Sequence, residues 1–311
     1  MKKLILALAG AILSAGILSA QDMSQATELY NNGATAIEME NYTEALDYFQ
    51  QALAMGNEIG DDAAELVEKC KGVIPKVSLQ IAKNLIKEEK YEEAAAQIEA
   101  TSKLAAEFEN DEIVAEAKEL VPQMWLMKGK KAVELKDFAA AADAFTKSYD
   151  ADTTNASTAL TLAQVLGALG KTDQAVDVLQ HAIWNGKEAE AKKQMGKLYV
   201  SQANAALKAN KLADAVAAAN KANAVEPNAT ACLIAGQASQ KLGKANDAIA
   251  NFTKYLELQP DAKNANAITF TVAALYQQAK NNAKALEFYK KVADDPKFGA
   301  QAKQMIAALG K

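Results

Sequence analysis

The sequence predicts an all-α chain: a right-handed superhelical α-solenoid of about seven helix–turn–helix units, closed by a C-terminal capping helix. Three observations carry that expectation. A small residue recurs along the chain with alanine 12 positions later and, in most copies, a large apolar residue four beyond that. Half of the 311 residues are hydrophobic but only 6% are aromatic, which suits many small helix–helix contacts better than one bulky core. Five prolines and 15 glycines argue against a disordered or an all-β chain.

The clearest copy lies between Ala235 and Pro260. One helical pattern stops at Lys241-Leu242-Gly243, and a second opens near Asn246-Asp247 and runs to Leu258, before Pro260. Gly236 and Ala248 then face each other on paired helices, where small residues let the axes approach to about 8–10 Å. Phe252, one turn beyond Ala248, fills the space beside that contact. The small position of the first helix reads Gly33, Ala82, Gly129, Ala163, Ala203, Gly236 and Ala273. The alanines opposite are Ala45, Ala94, Ala141, Ala175, Ala215, Ala248 and Ala285, followed by Phe49, Ile98, Phe145, Leu179, Ala219, Phe252 and Tyr289.

With Trp125 before Gly129, Tyr42-Thr43-Glu44-Ala45, Phe138 before Ala141, and Pro227 and Pro260 after second helices, this pattern resembles the tetratricopeptide repeat, a helix–turn–helix of about 34 residues. The resemblance covers roughly residues 26 to 299. It divides the chain into units near 26–59, 60–108, 109–155, 156–195, 196–228, 229–265 and 266–299, with a capping helix at 298–310. Ala219 and the missing prolines of most units depart from the motif.

Taken in order, Met1 to Ala20 carries Lys2 and Lys3, an apolar run from Leu4 to Leu13, and a stretch rich in small residues. This reads as a secretory signal peptide cleaved after Ala20, which places the mature chain in the periplasm or outside the cell. A retained anchor is the competing reading, for which the run is barely long enough. No cysteine near the site suggests a lipoprotein anchor, and no later span is long and apolar enough to cross a bilayer. Removing residues 1–20 takes away two lysines and no acid from a chain already at −5. That balance disfavours nucleic acid as a partner. All the positive charge is lysine, without arginine's planar fork.

Asn41-Tyr42 marks the first turn and Gly56-Asn57 the expected end of the first hairpin. Successive alanines stand 49, 47, 34, 40, 33 and 37 residues apart, so the first two intervals hold surplus chain. Each surplus begins with acids, Asp61-Asp62 or Asp111-Glu112, favourable at a helix start. Each leads to a proline, Pro75 or Pro122. Either the first helix is lengthened at its N-terminal end and kinked or broken there, or a separate short helix precedes the proline. Cys70 and Cys232 fall in the second and sixth units, too far apart in a stack for a disulfide, and read as free buried thiols. At the C-terminus, Phe298, Ala302, Met305, Ile306 and Leu309 share a helical face suited to covering the last unit.

We find no catalytic constellation, and no cofactor or metal site is expected. His181 is the single histidine, so a His-based triad or metal cluster lacks partners. Acid pairs such as Glu88-Glu89 and Asp294-Asp295 sit at helix starts and turns, where capping or solvation explains them. Phosphate-binding glycine spacings are absent. Trp125 matches the motif's packing position, whereas Trp184 matches nothing and stays open.

What remains is a surface. The resemblance implies that first helices line a concave groove. One row there reads Tyr30, Leu79, Leu126, Leu160, Val200, Leu233 and Phe270; four residues on stand Ala34, Lys83, Lys130, Gln164, Asn204, Gln237 and Ala274. An apolar row beside a polar one suits an extended peptide or amphipathic helix, although the apolar row also suits packing between neighbouring first helices. A lysine–asparagine carboxylate clamp, used by one subtype of the family, would need a lysine in the first row, and none is there. Lys76, Lys83, Lys87, Lys128, Lys130 and Lys131 form a local positive cluster that would attract an acidic partner segment, although runs of lysine also suit a solvated helix face. The expected function is a non-catalytic extracytoplasmic scaffold holding a protein or peptide of unknown identity. Its alternatives are a structural subunit of an envelope assembly, packing through a convex face or long N-terminal helices, and a carbohydrate- or wall-polymer-binding protein.

Overall fold

Small residues at a fixed interval bring helices together in pairs, and the computed structural model, which describes residues 20–310, is built of such pairs. The first hairpin joins α1 (Ala20–Glu38) to α2 (Tyr42–Ile59). A 3-10 turn at Asp61–Ala63 leads into α3 (Ala64–Lys87), paired with α4 (Tyr91–Glu107). Then come α5 (Asp111–Glu134) with α6 (Phe138–Ala151), and α7 (Ala156–Ala168) with α8 (Thr172–Trp184). The fifth pair is α9 (Glu188–Lys208) with α10 (Leu212–Val225), and the sixth α11 (Ala229–Lys241) with α12 (Ala245–Leu258). The seventh is α13 (Ala265–Gln278) with α14 (Asn282–Lys291), and α15 (Gly299–Leu309) follows alone. No strand occurs among the described residues. The fold class is the expected one, all-α and built from consecutive hairpins in the manner of an α-solenoid. The leader expected at residues 1–20 lies outside the described residues except for Ala20, where α1 begins.

The seven alanines opposite the small positions are all 0% exposed. A Cβ added at Gly33, Gly129 or Gly236 would stand 2.9, 2.5 or 2.5 Å from the ring of Phe49, Phe145 or Phe252. The ring therefore occupies the space a side chain would need. In the fifth hairpin Ala219 takes the ring's place and is likewise fully buried, within a cluster made almost wholly of alanine.

Each hairpin turns through one residue in the left-handed region. At the first turn the Asn41 N–H donates to the Ala36 carbonyl and the Glu40 N–H to that of Ile37, both at 2.9 Å, which satisfies two carbonyls at the helix end. Gly170 and Gly243 take this place with φ 73°, but elsewhere Glu40, Glu89, Lys136, Asn210 and Lys280 hold φ between 58° and 61°. A residue with a Cβ is strained there by about 1–2 kcal/mol. Lys136→Gly is therefore expected to stabilise the protein by about 0.5–1 kcal/mol, after the unfolded-state entropy of glycine is set against the relief. Lys136→Val should destabilise by more than about 1 kcal/mol. Urea unfolding midpoints check both. Second helices gain side-chain caps where the sequence supplies them: Asp137 and Asn281 accept from the N–H groups of Ala140 and Lys284.

The choice the sequence left open at the prolines resolves in favour of single long helices. Pro75 lies inside α3 and Pro122 inside α5, each helix spanning 24 residues. Two boundaries differ from the sequence reading. The first hairpin runs past Gly56-Asn57 to Ile59, and Gly56 instead lets α3 approach, since a Cβ there would meet Val67 at 2.9 Å. Helix α9 opens at Glu188, directly after the Asn185-Gly186 turn, so residues 188–195 belong to the fifth hairpin rather than the fourth.

The chain divides into two compact units, Met1–Lys128 and Gly129–Lys311, with the boundary inside α5. In the first, one apolar cluster gathers Ala26, Phe49, Cys70 and Ile74. A second gathers Leu79, Ile98, Met124 and Trp125, the last 8% exposed as its packing match implies. Beside it Ser78 and Thr101 share a buried 2.6 Å hydrogen bond. In the second unit the cluster of Phe252, Val272, Phe288 and Tyr289 extends to α15, which contributes buried Ala302 and half-buried Met305, Ile306 and Leu309. Asp295 opens that helix by accepting from the Phe298 and Lys297 N–H groups, both at 2.8 Å, bonds that hold its carboxyl below the usual range. Cys70 and Cys232 are free and buried, and burial pushes the Cys70 thiol up to about 11, so it stays protonated at neutral pH.

Candidate functional site

Stacking decides which part of each first helix is left for a partner. In the second unit α7 touches α9, and α9 touches α11, so these first helices lie side by side as well as against their own partners. Leu160, Val200, Leu233 and Phe270 are half-buried at one register on α7, α9, α11 and α13. One turn further, Gln164, Asn204 and Gln237 are exposed. Phe270 is partly committed to the terminal helix: its ring stacks on Phe298 at 5.6 Å and meets Tyr289 edge-on at 5.3 Å. Lys130 is exposed near the start of this unit.

In the first unit Tyr30 is half-buried with its ring edge-on to Phe49 at 5.2 Å, and Leu126 is half-buried. Leu79 does not line a groove. It is 2% exposed and belongs to the cluster with Met124 and Trp125, two large side chains that the long α5 brings against it. Lys83 is half-buried and paired with Glu116 at 2.6 Å, a link from α3 to the lengthened part of α5. Lys128 pairs with Glu92 and lies 5.2 Å from the centre of the Trp125 ring. Two of the six lysines of the positive cluster read from the sequence, Lys83 and Lys128, are thus paired with carboxylates that spacing along the chain did not reveal, while Lys76, Lys87 and Lys130 are exposed. Surface pairs of this kind stabilise by only about 0–1 kcal/mol.

Trp184, which matches no position of the repeat motif, is exposed at 69% beside His181, ring centres 4.9 Å apart. Tyr149 approaches the same imidazole at 6.0 Å. Asn185 pins the adjoining turn by donating from Nδ2 to the carbonyls of Thr153 and His181. A cleft of about 410 Å³ lies elsewhere, lined by Ile249, Thr253 and Glu257 of α12 together with Tyr276. Among the described residues no group of three or more His, Cys, Asp or Glu side chains is placed to hold a metal ion. No described helix is long and apolar enough to cross a membrane.

Family models of the tetratricopeptide repeat match residues 79–156, 132–198 and 229–262. Those stretches are tetratricopeptide repeats. No curated protein matches the chain. Among solved structures, the protein MamA is similar at 20% identity, covering 58% of this chain and 94% of its own, with a TM-score of 0.37. A thermophilic TPR protein of Thermus thermophilus is 20% identical over 60% of this chain and 98% of its own, with a TM-score of 0.26. A TPR2AB domain of yeast Sti1 in complex with pHSP90 is 18% identical over 93% of this chain and all of its own, with a TM-score of 0.34.

Proposed function

We propose that this chain, whose residues 79–198 and 229–262 are tetratricopeptide repeats, is a non-catalytic scaffold that holds a protein or peptide along the face of its first helices. The observation that carries the reading is the row Leu160, Val200 and Leu233, half-buried at one register on helices that touch one another. Apolar side chains left partly open in a line, with exposed amides one turn away, suit a strand or helix laid across them. The leader pattern of residues 1–20, with Lys2 and Lys3 ahead of Leu4–Leu13, supports a meeting place outside the cytoplasm.

A second reading, a subunit built into an envelope assembly, draws on the 24-residue length of α3 and α5. Cross-linking capture from the envelope fraction separates the two. Leu160→Ser with Leu233→Ser is expected to reduce partner capture by about tenfold or more, given that buried apolar anchors dominate interfaces. Capture that persists in this variant but is lost when exposed Lys76 and Lys87 of α3 are changed would favour the second reading. Capture indifferent to both sets would remove the face as the site.

A further inference from the structure

We infer that Trp184 anchors a second docking site, on the face of the second helices, for an arginine-bearing segment of another protein. The inference stands apart from the first-helix reading above. Three features lead to it: an indole with no part in the repeat, its fixed setting, and the charge around it.

The exposed large apolar side chains of the second unit are Leu135, Phe138, Leu169, Trp184 and Leu242. All but Trp184 stand at a turn within a hairpin, where the chain leaves a first helix or enters a second. Trp184 instead ends α8 and keeps most of its surface open. Its neighbours hold it in place. The indole leans on the His181 imidazole at 58°, and Tyr149 of α6 meets the same imidazole edge-on. Asn185 Nδ2 ties the turn after the indole to the Thr153 carbonyl, 3.1 Å away. A side chain already fixed loses little freedom when a guest covers it, which favours aromatic residues as anchors.

The surroundings are acidic. Burial and then the Asp150 carboxylate push the Tyr149 hydroxyl up, an effect that sets Asp150 beside the ring group. Asp152 accepts from the Thr154 N–H and hydroxyl at 3.0 and 2.6 Å. Asp177 is exposed on α8 seven residues before Trp184, which is two turns, or about 10 Å, along one face. Among the described residues these three carboxylates form no ion pair. Lys147 and Lys187, close in the chain to Tyr149 and Trp184, pair with Asp143 at 3.0 Å and Glu190 at 3.2 Å. An open π-face flanked by carboxylates suits a guanidinium on both counts, since it stacks flat on indole and forks to a carboxylate. The chain contains no arginine, so a second copy cannot supply that group.

The test pans a random 12-residue display library on the full chain and measures the synthetic winners by fluorescence anisotropy. A class of arginine-bearing winners is expected, weakened about tenfold or more by Trp184→Ala and unaffected by Leu160→Ser with Leu233→Ser. Lysine in place of their arginines should weaken them about threefold or more, because an ammonium lacks the fork. Asp150→Asn with Asp177→Asn should weaken them and remove most of the fall in affinity between about 50 and 500 mM salt. Urea midpoints of Trp184→Ala and of the double aspartate variant should match the parent, because the altered side chains are exposed. A pool in which Trp184→Ala weakens no peptide would overturn the site. Trp184-dependent winners that are acidic or neutral would overturn the cationic guest. A clearly lowered midpoint in Trp184→Ala would assign the indole to the fold instead of to a partner.

Discussion

Ala248→Arg is expected to lower the stability of the sixth hairpin by about 4 kcal/mol or more. Ala248 is 0% exposed and stands opposite Gly236, where the Phe252 ring already fills the space between α11 and α12. An arginine there must either force the helices apart or bury its charge with no acid at hand. Because repeat arrays gain stability from near neighbours, the loss should be local. Hydrogen exchange should show α11, α12 and α13 opening early, with the amides of α1 and α2 protected as before. Ala250→Arg, two residues on and exposed, should stay within about 0.5 kcal/mol of the parent. Equal stability of the two variants would mean that the alanine register does not hold the pair together.

Gly299→Val is expected to detach the terminal helix. A Cβ at Gly299 would stand 2.5 Å from the carbonyl oxygen of Ala293, a backbone atom that no rotamer change can move aside. Displacing α15 withdraws Ala302, Met305 and Ile306 from the cluster around Phe288 and Tyr289 and unstacks Phe298 from Phe270. Protection of the α15 amides should fall by about 3 kcal/mol. The apolar end thus uncovered should make the protein self-associate at concentrations where the parent does not. A variant with normal α15 protection, and unchanged mass by light scattering, would show that this end does not need its cover.

The pairing of helices could be read from the sequence because its cause is local and steric. Two small residues 12 positions apart face each other within one hairpin, and no third element is needed to interpret them. Leu79 and Lys83 misled for the opposite reason. Their surroundings are set by side chains of the next first helix, Met124 and Trp125 around Leu79 and Glu116 beside Lys83, and spacing along the chain does not show which side chains of α5 meet those of α3. The start of α9 is hard to see in the sequence since no proline or aromatic announces it; only an Asn-Gly turn and a run of mixed charge mark the place. Left-handed turns at Glu40 and Lys136 carry residue types that ordinarily avoid them, so residue identity gave no signal.

The sealing of glycine by phenylalanine inside a single hairpin bears on how such a chain can grow. Gly236 and Phe252 belong to the same pair of helices, as do Gly129 and Phe145. A whole module copied or excised in frame therefore carries its own closure with it, and what its neighbours supply is an apolar flank. Lengthening the array by duplication would then leave the closure of every existing hairpin as it stands.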